Sequence, residues 1–493
     1  MNTRPFSSIH RSRALLALSI LILSALSCQA VSGAFQQPSP SAPPPTASET
    51  AQTQASLPPG TPAPTPEFNA AGVRYCYYVP GVSVPAQMPP DVLATPTPYV
   101  LPTVTPPANT QVDAATTQKQ LDLFNQLWQD VRDNYVYTDF NGHDWNAIGD
   151  KYKALIKAGL TQKDFYQSME EMIYELGDEH SRFLDPEMVK EEDQAIAGDQ
   201  NFVGIGALVQ PLEDGKSGTI ISVFPNSPAA EAGLRLHDKV LSVDGGPWLD
   251  ETTGQSRTLG PAGTQVTITV ERPGEAPRDY TLTRRAISGS MPIDYCMVKD
   301  TRIGYIYIPT FYDETIDGQV RTALEKMTAD GPMDGLIIDN RMNGGGLNTV
   351  AETILGFFTN GLNGHFVSRT ETRPLEIKGE DINGSQTVPL VVMVDLGTAS
   401  YGEIFSGILR VGNRAKIVGQ NTLGNVEVLH GFDFDDGSRA WIAAETFEPV
   451  GEANGIWERT GIIPDVYAPT RWDLFTEATD PAFAKAVEIL QNK

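Results

Sequence analysis

Residues 389–411 read PLVVMVDLGTASYGEIFSGILRV. Leu390 to Val394 is an unbroken apolar run rich in valine, the pattern of a strand buried on both faces. From Tyr401 onward Ile404, Ile408 and Val411 recur at helical spacing. Between strand and helix lies the small-residue turn Gly397-Thr398-Ala399-Ser400, which puts Ser400 at the helix start. A serine there can cap the first turn through its hydroxyl. It can equally serve as an acyl-transfer nucleophile, because the free N–H groups and positive dipole end of the helix stabilise an oxyanion. The segment alone leaves both roles open.

Outward from this turn, residues 290–493 alternate apolar strands (302–308, 335–339, 416–418) with helical stretches near 315–329 and 347–360 and an amphipathic helix within 472–493. That βαβ order predicts a mainly parallel sheet with both faces covered. Residues 200–286 switch to short strands and turns, GTIISVF, KVLSVDGG, QVTITVERPG and RDYTLTR, with the short helix signal NSPAAEAGL between the first two. Residues 111–195 are helical: Leu121, Phe124, Leu127, Trp128 and Val131 form one stripe, and two further amphipathic helices follow. The bundle ends at Gly177 and delivers Asp178-Glu179-His180-Ser181 at its exit.

Residues 1–28 have the pattern of an export signal: Arg4, Arg11 and Arg13 precede the apolar run Ala14 to Leu23, and small residues follow. The run is shorter than the roughly 20 residues a spanning helix needs. Ala25-Leu26-Ser27-Cys28 resembles a bacterial lipobox with Cys28 as the lipidated residue; Ala25, where Leu or Val is usual, leaves ordinary cleavage open. Residues 29–110 read as a Pro/Thr/Ser-rich tether with a small docked segment at 66–84 that carries Phe68, Tyr75, Tyr77 and Tyr78. Of three cysteines, Cys76 and Cys296 remain after Cys28, and in an exported protein they can form one disulfide or stay free. A net charge of −25 argues against nucleic acid and anionic membrane surfaces as partners. No metal constellation, phosphate loop or dinucleotide fingerprint stands out, so no cofactor is expected.

Five motifs in fixed order carry a family resemblance: Leu-Gly-Asp-x-His-Ser at 176–181, Ser-Pro-Ala-x-x-Ala-Gly-Leu at 227–234, Ile-Asp-x-Arg-x-Asn-Gly-Gly-Gly at 338–346, Ser400-x-x-Glu403, and Gly-Ile-Ile-Pro-Asp at 461–465. Over roughly residues 112–470 the chain resembles the tail-specific, or C-terminal processing, serine peptidases. The resemblance implies an α/β multidomain protein: an N-terminal helical bundle, a PDZ-like β-rich domain and a ClpP/crotonase-like α/β peptidase domain. It implies Ser400 as nucleophile, the N–H groups of Gly345 and Tyr401 as oxyanion donors, and Phe202-Val203-Gly204-Ile205-Gly206 as the PDZ-like loop that captures a substrate C-terminus. Asp339, Arg341, Glu403 and Asp465 are expected to be structural. His237 stands where PDZ domains usually have Gly.

One departure bears on the chemistry. The family's usual general-base lysine corresponds here to Asn425, and Leu429 stands in place of the glutamine that supports it. A carboxamide cannot accept the serine proton. A histidine is the natural substitute, and His180 and His430 are the candidates. Alternation along the strand 426–432 places His430 with Val426 and Val428, opposite the face bearing 425, 427 and 429, which leaves His180. The core of tricorn protease is a second resemblance, with a Ser-His-Glu arrangement whose glutamate precedes a Gly-x-x-Pro-Asp motif, and Glu458 matches it. The expectation is an exported serine endopeptidase acting on protein or peptide substrates, touching a membrane only through an N-terminal lipid anchor. The alternatives are a catalytically inactive PDZ-bearing surface binding protein, or a hydrolase of another ester or amide, or one using another base.

Overall fold

The computed structural model describes residues 67–81, 112–178, 180–212, 216–250, 255–451 and 457–492. The proposed signal with Cys28, and most of the proposed tether, lie outside them. The central sheet has seven strands in the order Tyr75–Cys76, Asp294–Val298, Ile303–Tyr307, Gly335–Asp339, Leu390–Val394, Ala415–Gly419 and Val466–Tyr467. Every pairing is parallel except that of Asp294–Val298 with Ile303–Tyr307. The three central strands are buried along their whole length. Alternate residues of each point to opposite cores. Ile306, Ile338 and Val392 pack with the helices Ile316–Met327, Asn348–Gly356 and Tyr401–Val411, whereas Tyr305, Ile337 and Val391 pack with Phe483, Val487 and Leu490 of the helix Pro481–Gln491. Two apolar faces are why these strands read as continuous hydrophobic runs rather than alternating ones.

A second, antiparallel sheet orders Thr372–Ile377, Gly361–Val367, Arg439–Pro449 and Val428–Asp433, and Arg182–Leu184 adds to it. The last pairing (Arg439↔Leu184, Ala440↔Phe183, Trp441↔Arg182) fuses the helical bundle to the peptidase unit. The bundle helices Ala114–Asn134, Trp145–Lys157 and Gln162–Tyr174 start at Asp113, Asp144 and Thr161, each of which caps a first-turn N–H. Their apolar stripes belong to the same hydrophobic cluster as the peptidase sheet. Three polar ties reinforce the junction: Val136 N donates to Ala443 O (2.8 Å), and the Arg369 guanidinium donates to Arg132 O and Tyr137 O. The bundle is thus built into the peptidase unit.

The docked segment enters as the outermost strand of the central sheet, with Tyr75 beside Met297. A disulfide joins Cys76 to Cys296, with Cα atoms 5.6 Å apart. Arg74, between Asp294 (2.5 Å) and Glu477 (2.7 Å), holds the same edge.

The PDZ-like unit is a five-stranded antiparallel sheet, Ala207–Pro211, Gly218–Val223, Lys239–Val243, Gln265–Glu271 and Arg278–Thr283, in that order. Gln200–Gly204 pairs separately with Arg285–Gly289. Pro228–Glu231 is the one helix of this unit among the described residues. His237 adopts φ 74°, the left-handed region where glycine is at ease, which is the reason glycine is usual there. Its buried ring stacks on Trp472 at 4.4 Å, and its Nδ1 lies 3.2 Å from the Trp472 carbonyl, which seats the PDZ-like unit on the peptidase unit.

Candidate active site

The turn before the helix Tyr401–Val411 is clamped from two sides. Ala399 N donates to Asn343 O (3.0 Å), Thr398 Oγ1 to Asn340 O (2.9 Å), and Ser400 N to Asn425 O (2.8 Å). Ser400 is forced to φ 52°, ψ −126°, and its hydroxyl makes no helix-capping bond. The N-cap role therefore falls away. A non-glycine residue in this region is strained by about 1–3 kcal/mol, tolerated only where the surroundings over-determine it. The side chain is almost fully buried. Gly345 (φ 95°) makes the close approach possible: a Cβ there would sit 2.8 Å from Ser400 Cβ and 3.0 Å from Tyr401 N.

The two expected oxyanion donors fare differently. Tyr401 N opens the helix and has no acceptor among the described residues. Gly345 N, in contrast, donates to Asn343 Oδ1 at 2.9 Å. Asn343 Oδ1 competes for that N–H within the turn, and the peptide must rotate before it can serve an oxyanion. Asp339 and Arg341 brace the turn from below. The guanidinium forks onto Asp339 (2.9 and 2.6 Å) and reaches Asp480 (2.7 Å), all three buried.

His180 follows the bundle in a tight loop. The Asp178 carboxylate accepts from His180 N (3.0 Å), Ser181 N (2.8 Å) and Ser181 Oγ (2.6 Å), and Ser181 Oγ in turn accepts from Ala443 N (3.0 Å). The loop is bolted to the second sheet one residue beyond the histidine. The buried His180 ring points its Nδ1 at Glu427 Oε2, 3.5 Å away. Glu427 also accepts from the Tyr137 hydroxyl (2.9 Å). Burial by itself would push the Glu427 carboxyl up; the neighbouring His180, Glu458 and Tyr137 outweigh it and hold it below the usual carboxylate range. Glu458 sits with Oε2 on Val426 N (2.8 Å), and its carboxyl, pushed up by burial and by the Glu427 charge, interacts with Glu427. So the acid the structure puts beside His180 is Glu427, with Glu458 behind it. Sequence reasoning passed over Glu427, although the same alternation that turned His430 away placed 427 on the face of 425. His430 indeed lies elsewhere, 3.4 Å from Glu445. Nothing in the sequence pointed to Tyr137.

Glu403 accepts from Thr422 Oγ1, Gly424 N (2.8 Å) and Asn425 N (2.8 Å), tying the helix start to the loop at 422–425; burial pushes its carboxyl up to about 7. Asp465 accepts from Ile417 N (2.9 Å) and Arg410. Among the described residues no group of His, Cys, Asp and Glu could hold a metal ion, and no helix is long and apolar enough to cross a membrane.

Residues 302–468 match the model of peptidase family S41, 117–174 the tricorn protease C1 domain and 219–272 a PDZ domain. A carboxyl-terminal-processing protease of Synechocystis sp. is 31% identical over 386 residues, covering 76% of this chain and 86% of that protein. The chain belongs to peptidase family S41. It is a serine-type peptidase of the carboxyl-terminal-processing group with a PDZ domain. The carboxy-terminal processing protease CtpA of Bacillus subtilis is 30% identical over 343 residues, covering 65% of this chain and 70% of that one. A solved structure described as a putative S41 protease from Bacteroides fragilis shares the fold, with a TM-score of 0.51 at 15% identity over 74% of this chain and 97% of that one.

Within the PDZ domain, the five residues Phe202 to Gly206 divide their roles. Phe202 packs edge-on against Phe224 (5.5 Å), and Ile205 is buried in the domain core. Val203 O accepts from Gly260 N (3.1 Å), and Ile205 O from Ala229 N (2.8 Å). The next strand, Ala207–Pro211, pairs with Gly218–Val223. Among the described residues no strand pairs with its other edge, the kind of edge at which strand addition occurs.

Proposed function

We propose that the protein is an exported endopeptidase in which Ser400 attacks the scissile carbonyl of a protein or peptide substrate and His180 takes its proton. The observation that carries this reading is the strained, uncapped Ser400 at a helix N-terminus, in a chain that also buries a histidine with its Nδ1 3.5 Å from a carboxylate. Asn425 occupies the place of the base lysine and cannot accept a proton. An imidazole hydrogen-bonded to a carboxylate through Nδ1 presents Nε2 as the basic nitrogen, and the carboxylate stabilises the imidazolium as the serine proton arrives. Glu427, with Oε2 3.5 Å from Nδ1, is the carboxylate within reach of that role. Tyr401 N, at the positive end of the helix, supplies one oxyanion donor; Gly345 N supplies the second once substrate draws it from Asn343. The PDZ domain holds the substrate C-terminus by adding it as a strand beside Ala207–Pro211 and turning its carboxylate to the loop at 202–206. Export and lipidation at Cys28 rest on the sequence of residues 1–28.

A fluorophosphonate probe tests the nucleophile. Labelling of the wild type that vanishes in Ser400→Ala supports the peptidase. A folded wild type that neither labels nor cleaves a peptide panel overturns it in favour of a PDZ-bearing binding protein. Hydrolysis of chromogenic esters without peptide cleavage points to a different acyl substrate.

A further inference from the structure

Two buried or partly buried acids meet behind His180, and their surroundings differ. Glu458 is carried by the segment Trp457–Gly461, which lies on the loop at 422–425 through Arg459 N to Gly424 O (2.7 Å) and Ile462 N to Thr422 Oγ1 (2.6 Å). That docking brings Glu458 Oε2 onto Val426 N (2.8 Å), the residue before Glu427, and the two carboxyl groups interact. Glu427 accepts from Tyr137 Oη (2.9 Å) and has His180 Nδ1 3.5 Å from its other oxygen. Two carboxyl groups interacting in a site this poorly hydrated resist ionising together, and a proton shared between them relieves the repulsion. The acid with more donors keeps the charge: among the described residues Glu427 faces a phenol and an imidazole, Glu458 a single backbone N–H. We propose that Glu458 is a neutral carboxylic acid whose O–H donates to Glu427, a positioning residue that holds the Glu427 carboxylate against His180. Burial and the adjacent Glu427 charge, with Glu403 adding to them, push the Glu458 carboxyl far above its ordinary range.

The proposal rests on His180 as base and reverses the part the tricorn-like resemblance gives to Glu458, which is that of the anion. The two assignments separate on one substitution. A protonated Glu458 offers a carbonyl oxygen to Val426 N and a donor to Glu427. Glutamine reproduces both, with Oε1 on the N–H and Nε2 donating. An anionic Glu458 would be poorly replaced by it.

Kinetics of Glu458→Gln, Glu458→Leu and Glu427→Gln are compared on one fluorogenic peptide. Glu458→Leu is expected to lower kcat/KM about 100-fold, as loss of a supporting hydrogen bond commonly does, and Glu458→Gln to recover at least tenfold of that. Glu427→Gln, which removes the anion beside the imidazole, is expected to lose about 10³–10⁴. If Glu458→Gln is no better than Glu458→Leu, or Glu427→Gln is the milder of the two amides, the proposal is wrong. A second measurement does not need turnover: the infrared carbonyl band of protonated carboxyls at pH 7 loses intensity in Glu458→Gln relative to wild type. An unchanged band overturns the proposal even if fluorophosphonate labelling of Ser400 succeeds. A lost band together with failed labelling keeps the proton assignment and instead sinks the peptidase reading.

Discussion

The Ser181 hydroxyl is the bolt between the histidine loop and the second sheet, and Ser181→Ala removes it with little change in volume. The hydroxyl accepts from Ala443 N at 3.0 Å and donates to Asp178 at 2.6 Å, at a residue only 8% exposed. Its loss leaves the Ala443 N–H without an acceptor, which costs about 1–3 kcal/mol for a buried donor. The bond to the Asp178 carboxylate is of the charged kind, worth about 1.5–3 kcal/mol, but two backbone N–H groups remain on that carboxylate, so only part of it is lost. A net destabilisation of about 3 kcal/mol follows, read from the midpoint of urea unfolding at constant m. Activity should suffer separately. His180 is the neighbouring residue, and a shift of about 1 Å in a catalytic group can cost 10²-fold. The expected result is a kcat lowered 10- to 100-fold with KM little changed, since the histidine acts in the transition state rather than in substrate binding. A variant destabilised as predicted but with wild-type kcat would show that the bolt stabilises the fold without positioning His180. A variant unchanged in both would refute the energetic reasoning as well.

Reduction of the Cys76–Cys296 disulfide, or Cys76→Ser with Cys296→Ser, opens a loop of 220 residues. Chain entropy puts the loss near 5 kcal/mol as an upper estimate, visible as a drop in Tm on adding reductant; a Tm indifferent to reductant would count against it. Acid should weaken the seat of the PDZ domain. Burial pulls the His237 imidazole below its ordinary 6.5; Arg341 adds to this, and Asp480, Asp339 and the Trp472 carbonyl oppose it. Lys239, paired with Asp473 (3.4 Å), lies at the same interface. The unfolded chain then takes up a proton near 6.5 while the native chain does not. Stability from this group is present above that pH and falls away as the pH drops below it. His237→Phe, which keeps a ring on Trp472 but cannot titrate, should flatten the decline between pH 6.5 and 5; an equal slope in both proteins rules His237 out as its source.

Much of the architecture is local information. The valine-rich run at 390–394, the small-residue turn and the helical spacing after Tyr401 specify strand, turn and helix by themselves, and the observed bounds Leu390–Val394 and Tyr401–Val411 follow them. The three bundle helices are legible for the same reason, an apolar stripe behind a capping residue. The second sheet was not: Gly361–Val367, Thr372–Ile377 and Val428–Asp433 are partly exposed, two of its pairings join distant stretches of chain, and only one of its strands announced itself. The site divides along the same line. Residue types and alternation point to Ser400 and His180 and turn His430 away. They cannot say whether Ser400 caps its helix, which depends on dihedrals imposed by hydrogen bonds from the loops at 340–343 and 425. Nor can they order the two glutamates. Glu427 stands beside His180 because Arg182–Leu184 pairs with Arg439–Trp441 and so draws the bundle onto the sheet, while Trp457–Gly461 docks on the loop at 422–425 and leaves Glu458 one layer behind. Secondary structure is set by neighbours in the chain, but which carboxylate reaches an imidazole is set by neighbours in space.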